Sequence, residues 1–143
     1  MNTNDYLSNP VLQRGFYNCK CVEVETLRGQ NLPIVMIRLK IVPYEAYGAA
    51  QNTVLYATLR DSAAAQQMHE RFRQTFQVED EATEAIGRFG SVLVDADEFK
   101  GRKYGGVHFI AQNPIVRRQA AELERADRAG EIPWVNDEDA DAA

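Results

Sequence analysis

At 143 residues, 45% hydrophobic and 26% charged, the chain has the size and make-up of one globular domain that needs no metal or disulfide staple for its core. No apolar run approaches the ~20 residues of a membrane helix, and the start, Met1-Asn2-Thr3-Asn4-Asp5, lacks a secretory pattern, so a cytoplasmic setting without membrane contact is expected. The formal charge of -5 lies wholly in the last thirteen residues, where Glu131, Asp137, Glu138, Asp139 and Asp141 stand without a base behind a neutral body.

Residues 1–14 read as an N-terminal arm, ended by the breakers Pro10 and Gly15. Gly15 to Glu25 is rich in β-formers, and its alternation slips near Cys21-Val22, which predicts a bulge that bends the strand. Cys19 and Cys21 fall on one face of that strand, too close in sequence for an unstrained bridge. Zinc would need two further ligands, and His69 and His108 are isolated, so the pair is expected to be small buried apolar residues and no metal site. Leu27 to Leu32 predicts a turn. Pro33 to Val42 is the clearest strand, with Val35, Ile37, Leu39 and Ile41 on one face and Ile34, Met36, Arg38 and Lys40 on the other.

A loop with Tyr44 and Tyr47 leads to a strand over Thr53 to Leu59, where Leu55, Ala57 and Leu59 face inward and Tyr56 and Arg60 outward. Asp61-Ser62 caps a helix to about Phe76, with Ala65, Met68, Phe72 and Phe76 as its apolar stripe. Glu79 to Glu84 predicts a loop and a short helical turn. Strands over Phe89 to Ala96 and Gly106 to Ala111 flank a polar connection, Asp97 to Gly105, suited to a hairpin loop. Asn113-Pro114 opens a helix that stops at Gly130, with Ile115, Val116, Ala120 and Leu123 as contacts. Beyond Gly130, composition predicts a disordered acidic tail over 131–143.

Three strands, a helix and two strands is the order of the five-stranded Greek-key barrel called the OB-fold. The expected fold is therefore mainly β: an OB-like barrel over 15–112 with a helix between strands 3 and 4, then an appended helix over 113–130 and the tail. A different small α+β sheet is the alternative.

Enzyme signatures are missing: no Walker loop, dinucleotide fingerprint, nucleophile elbow or zinc-protease helix. Asp95, Asp97 and Glu98 suggest metal-dependent phosphodiester chemistry at most, and read better as a solvated turn. Neither histidine has a nucleophile or orienting partner in sequence. No catalytic residue, cofactor or metal is expected.

Binding chemistry is better supplied. Phe99, Lys100, Arg102, Lys103 and Tyr104 place three cations between two aromatics, the mixture that lets cations follow phosphates while rings stack on bases. Arg38, Lys40, Tyr56 and Arg60 are expected on the outward face of strands 2 and 3, and Arg28 in the loop joining strands 1 and 2. In an OB barrel that face and the 1–2 and 4–5 loops make the oligonucleotide groove. Against this, a Lys/Arg-rich hairpin is often only a soluble turn at a sheet edge.

Gly15-Phe16-Tyr17, the basic strand Ile37-Arg38-Leu39-Lys40, the segment Val94 to Tyr104 and the acidic end resemble the small OB-fold single-stranded DNA-binding proteins of bacteriophages. The resemblance implies a protein that coats replication or recombination intermediates and recruits other proteins of those processes through its tail, here Ile132, Trp134, Asp137, Glu138, Asp139 and Asp141. Bacterial single-strand binders usually finish their acidic tip in a hydrophobic residue, whereas here Ile132, Pro133 and Trp134 come before the acids and the chain ends Asp141-Ala142-Ala143. The helix before the tail would pack the core, separate barrel from tail or join copies into a homo-oligomer. Three rivals stand beside this reading: a protein-interaction OB module such as a phage adaptor or inhibitor of a host factor, a small metal-dependent nuclease, and RNA in place of DNA.

Overall fold

The computed structural model describes residues 8–28, 35–44, 53–60, 66–110, 113–132 and 134, without the side chains at 27, 28, 35, 36 and 60. The elements are β1 (Gly15–Arg28), β2 (Val35–Tyr44), β3 (Leu55–Arg60), α1 (Gln66–Phe76), a 3₁₀ turn (Ala82–Ala85), β4 (Phe89–Phe99), β5 (Arg102–Phe109) and α2 (Pro114–Arg128). The strands form one antiparallel sheet in the order β3-β2-β1-β4-β5. The molecule is mainly β, an open five-stranded sheet with two helices.

Long β1 organises the sheet. Its first part, Gly15 to Lys20, pairs with β4, and the strand continues along β2 to Arg28. The register shifts between Cys21 and Glu23, at the slip that the sequence pattern shows. There the chain just before β4 takes over the pairing: Cys21 N–H donates to Arg88 O (2.9 Å) and Gly87 N–H to Cys21 O (2.8 Å). The extra residue lets one strand bend and serve two neighbours.

Period-two alternation puts Tyr17, Cys19, Cys21, Leu39, Ile41, Leu55, Ala57, Leu59, Val92, Val94, Val107 and Phe109 on the buried face. Neither cysteine is in a disulfide, and burial pushes the Cys21 thiol up to about 12, so it stays a neutral packing group. On this core α1 lays Phe72 and Phe76, which meet Phe109 at 5.7 and 6.1 Å between ring centroids. Met68 stays exposed, and buried Thr75 completes the helix's contact face instead. Its hydroxyl donates to Ile110 O (2.7 Å), which satisfies the polar atom. Gly90 lies beneath it, where a Cβ would collide with Thr75.

Residues 8–14, read as part of an arm, belong to the fold. Leu12 packs on the core, and Tyr17 Oη donates to Gln13 O (2.6 Å). Asn9, 5% exposed, joins the two edge strands of the open sheet. Its Nδ2 donates to Tyr56 O (2.8 Å) in β3 and to Gly105 O (2.9 Å) in β5, while its Oδ1 accepts from Tyr56 N–H (2.8 Å). Gly105 N–H donates back to Asn9 O (3.3 Å). A side chain at Gly105 would collide with Pro10 O, so glycine is what admits the segment.

Asn113 caps α2 by accepting from Val116 N–H (2.9 Å), Pro114 follows at the first turn, and Gly130 at φ 72° ends the helix. The packed residues follow the expected stripe in part. Ala120 is buried and Val116 and Leu123 are half-buried, whereas Ile115 is 66% exposed and Glu124, outside the stripe, is buried. Glu124 accepts from Phe89 N–H (3.0 Å) and from Arg117 (2.9 and 3.0 Å), so a carboxylate closes an unpaired donor of β4.

The segment after Gly130 also departs from expectation. Trp134 stacks on Phe89 (centroids 6.2 Å apart, planes at 21°) and meets Tyr44 edge-on at 6.1 Å. Its indole N–H donates to Asp127 Oδ1 (2.9 Å), and Lys20 Nζ is 2.6 Å from the other oxygen. Flat apolar area and one well-placed donor make it a clasp on the sheet. At Asp127 burial opposes the charged form, but the Lys20 ammonium and the Trp134 indole outweigh it and hold the carboxyl below its usual ~3.9. A depressed folded pKa gives stability present above ~3.9 and lost as pH falls through the lower folded value. Emission from Trp134, the only tryptophan, is expected to hold down to about pH 4 and shift red below it. Asp127→Asn is expected to shift it red already at neutral pH. Constant emission down to global acid unfolding, with Asp127→Asn unshifted, would refute the clasp.

Candidate nucleic-acid interface

Opposite the core, the outward positions of β1, β2 and β3 carry Glu23, Glu25, Arg38, Lys40, Tyr56 and Thr58. Lys40 lies between Glu23 and Tyr56, and Arg38 lies between Glu25 and Thr58. Arg38 is only 9% exposed. It is 2.6 Å from Glu25 Oε2, and its guanidinium sits 5.2 Å from the Tyr56 ring centroid. These contacts fix the Tyr56 ring and spend much of the Arg38 charge inside the protein. Lys40, half-buried beside the same ring, has no ion pair among the described residues. Arg28 and Arg60 are the last residues of β1 and β3, so Arg28 ends a strand rather than lying in the loop; their side chains fall outside the described set.

The β4–β5 hairpin is tighter than the sequence suggests. Phe99 pairs with Arg102, so only Lys100 and Gly101 form the turn, at φ 51° and 79°. Two successive positive φ values suit the right-handed twist of the flanking strands. The expected connection over 97–105 is therefore mostly strand, because pairing continues through its polar residues. Directly opposed residues share a face, which splits the cationic set. Phe99, Arg102 and Tyr104 point outward with Asp97, while Glu98 and Lys103 form the pair on the other face. Phe99 is 45% exposed, and Lys100 Nζ lies 5.4 Å from its ring centroid.

Asn9 bonds to Tyr56 itself and to Gly105, the neighbour of Tyr104. One amide nitrogen thus spans the seam, leaving the outward face of β3 two hydrogen bonds from that of β5. Lys40, Arg38 and Tyr56 on one side and Phe99, Lys100, Arg102 and Tyr104 on the other flank this joint. Nothing near Asn9 in the sequence announces its role; the available signal was the Gly105-Gly106 pair inside a strand, a mark of close approach.

The three acids of the nuclease reading do not converge. Asp95 pairs with Arg14 at 3.0 Å, and that hydrogen bond, aided by Ala96 N–H, holds its carboxyl below the usual range. Asp97 is 2.9 Å from His108 Nε2 and lies over Gly106, where a Cβ would collide with it. Glu98 points to the opposite face. Among the described residues no three His, Cys, Asp or Glu side chains group as metal ligands, and no helix is long and apolar enough to cross a membrane.

Of the expected partner-binding tail, Ile132 is half-buried and Trp134 is docked on Phe89 and Tyr44. Asp137, Glu138, Asp139 and Asp141 lie outside the described residues. The chain matches no known family model and no curated protein.

Proposed function

We propose that the chain is a sequence-tolerant single-stranded DNA-binding protein on an OB-like Greek-key barrel, with Asn9 as the stitch between β3 and β5. The carrying observation is the shared outward face of Arg38, Lys40, Tyr56, Phe99, Lys100, Arg102 and Tyr104, held together across that stitch. Rings with cations beside them suit an unpaired strand, which offers both faces of its bases and a regular line of phosphates. A neutral body fits this ligand better than duplex DNA, since stacking shares the binding energy with charge. In this reading the protein coats replication or recombination intermediates, and its tail recruits partners or competes with the strand. Fluorescence-anisotropy titration with labelled oligo-dT, in ~10 mM salt where screening reaches only to ~30 Å, tests it. Absence of uptake there overturns the reading.

The clasp supports competition by the tail. Trp134 contacts Tyr44, four residues along β2 from Lys40, a distance of about 13 Å. Residues 135–143 can extend about 30 Å from that root, enough to lay Asp137 to Asp141 over the cationic face. Truncation after Trp134 is expected to raise oligo-dT affinity severalfold at low salt, with the gain fading above ~0.15 M as screening sets in. Equal affinities at all salts would remove the competition. The cut belongs after Trp134, because deletion from Glu131 also removes the clasp.

A further inference from the structure

Beyond the residues of the candidate interface, the outward face continues onto β5, β4 and β1. Phe16, Leu93 and His108 are directly opposed partners on three adjacent strands, so they form one row across the sheet. Neighbours in such a row stand ~5 Å apart. Phe16 is 57% exposed, and the His108 side chain is half exposed. A large ring so open to water, with a second flat ring two strands away, is costly surface unless something covers it.

We infer that this row is a second contact surface for the same single strand, taking one or more unpaired bases on Phe16 and His108. The inference rests on the proposed function. Continuity carries it: the outward positions of β5 run Arg102, Tyr104, Gly106 and His108, so one strand bears both the hairpin end of the interface and the end of the row. Two carboxylates lie beside the row: Asp95 is ion-paired with Arg14 at 3.0 Å, and Asp97 has His108 Nε2 at 2.9 Å, a hydrogen-bond partner that offsets its charge only when protonated. Arg14 is taken up by Asp95, so the row would take the strand through its rings rather than through charge. Gly106, with no side chain, leaves the path between Tyr104 and His108 low. The strand bound at Tyr56 would cross the Asn9 seam, pass the hairpin face and end on Phe16.

Oligo-dT of about 5 and about 16 nucleotides, near the two limits that a single such domain covers, separates the parts. Phe16→Ala is expected to weaken binding of the longer oligonucleotide about tenfold, the effect of losing one base–aromatic stack, and of the shorter one less than about twofold. Phe16→Trp is expected to keep wild-type affinity for both. Thermal melting of each variant should match wild type, because the ring is exposed. Equal loss on both lengths, or no loss on either, overturns the extension while the proposed function stands. Loss of self-association with oligonucleotide affinity unchanged assigns the row to a protein contact and equally overturns it. Wild-type protein that binds neither length fails the proposed function itself, and the extension with it.

Discussion

Asn9→Ala is expected to lower the melting temperature by roughly 10 °C. The substitution removes three hydrogen bonds at once and leaves Tyr56 N–H, Tyr56 O and Gly105 O without their partner in a closed seam. Orphaned buried backbone groups cost ~1–3 kcal/mol each, and water entering the gap recovers part of that, so about 3 kcal/mol in all is a fair expectation. In a chain of this size each kcal/mol moves the midpoint by ~3 °C. Asn9→Asp separates the causes. A carboxylate still accepts from Tyr56 N–H but cannot donate, and it sets a negative charge against two carbonyl oxygens, so it is expected to be nearly as damaging at neutral pH. Oligo-dT affinity should fall in both variants at temperatures where they remain folded, because β3 and β5 are no longer held in one surface. A melting temperature within about 2 °C of wild type for Asn9→Ala would mean that the seam does not join the sheet edges.

Much of this architecture was legible in the sequence because its causes are local. The bulge at Val22 appeared as a slip in alternation, and α2 was bracketed by Asn113-Pro114 and Gly130, each with a cap role that needs no distant partner. The outward set on β2 followed from period-two spacing alone. The illegible parts depend on residues far apart. Asn9 gains its meaning from backbone groups 47 and 96 positions away. Glu124 is buried because Phe89 N–H and Arg117 meet it, a role that hydropathy does not reveal. Thr75 is buried because Ile110 O offers its hydroxyl a partner, which no pattern within α1 reveals. At the hairpin, charge and glycine suggested a long loop, whereas a two-residue turn suffices once Lys100 accepts a left-handed backbone. Trp134 looked like bait for a partner because it borders acids; its real neighbours, Phe89 and Tyr44, lie on two different strands.

The same register argument gives the sharpest test of the hairpin. By composition Lys100, Arg102 and Lys103 are equivalent, and the triple Ala variant would be expected to lose three phosphate contacts, or ~2.1 in the slope of log affinity against log salt. The pairing makes them unequal. Arg102 shares its face with Phe99 and Tyr104, Lys100 lies over the Phe99 ring, and Lys103 stands opposite Glu98 on the other side. Arg102→Ala and Lys100→Ala are therefore each expected to weaken oligo-dT binding about tenfold at low salt, the scale of a charge-assisted hydrogen bond. Each should also flatten the slope by ~0.7. Lys103→Ala should do neither, and the triple variant should flatten the slope by only ~1.4. Glu98→Ala, which removes the neighbour of Lys103 alone, should leave the slope unchanged. A drop of ~2.1 in the triple, or a Lys103→Ala effect equal to that of Arg102→Ala, would place the strand along both sides of the hairpin and contradict a track confined to the outward face.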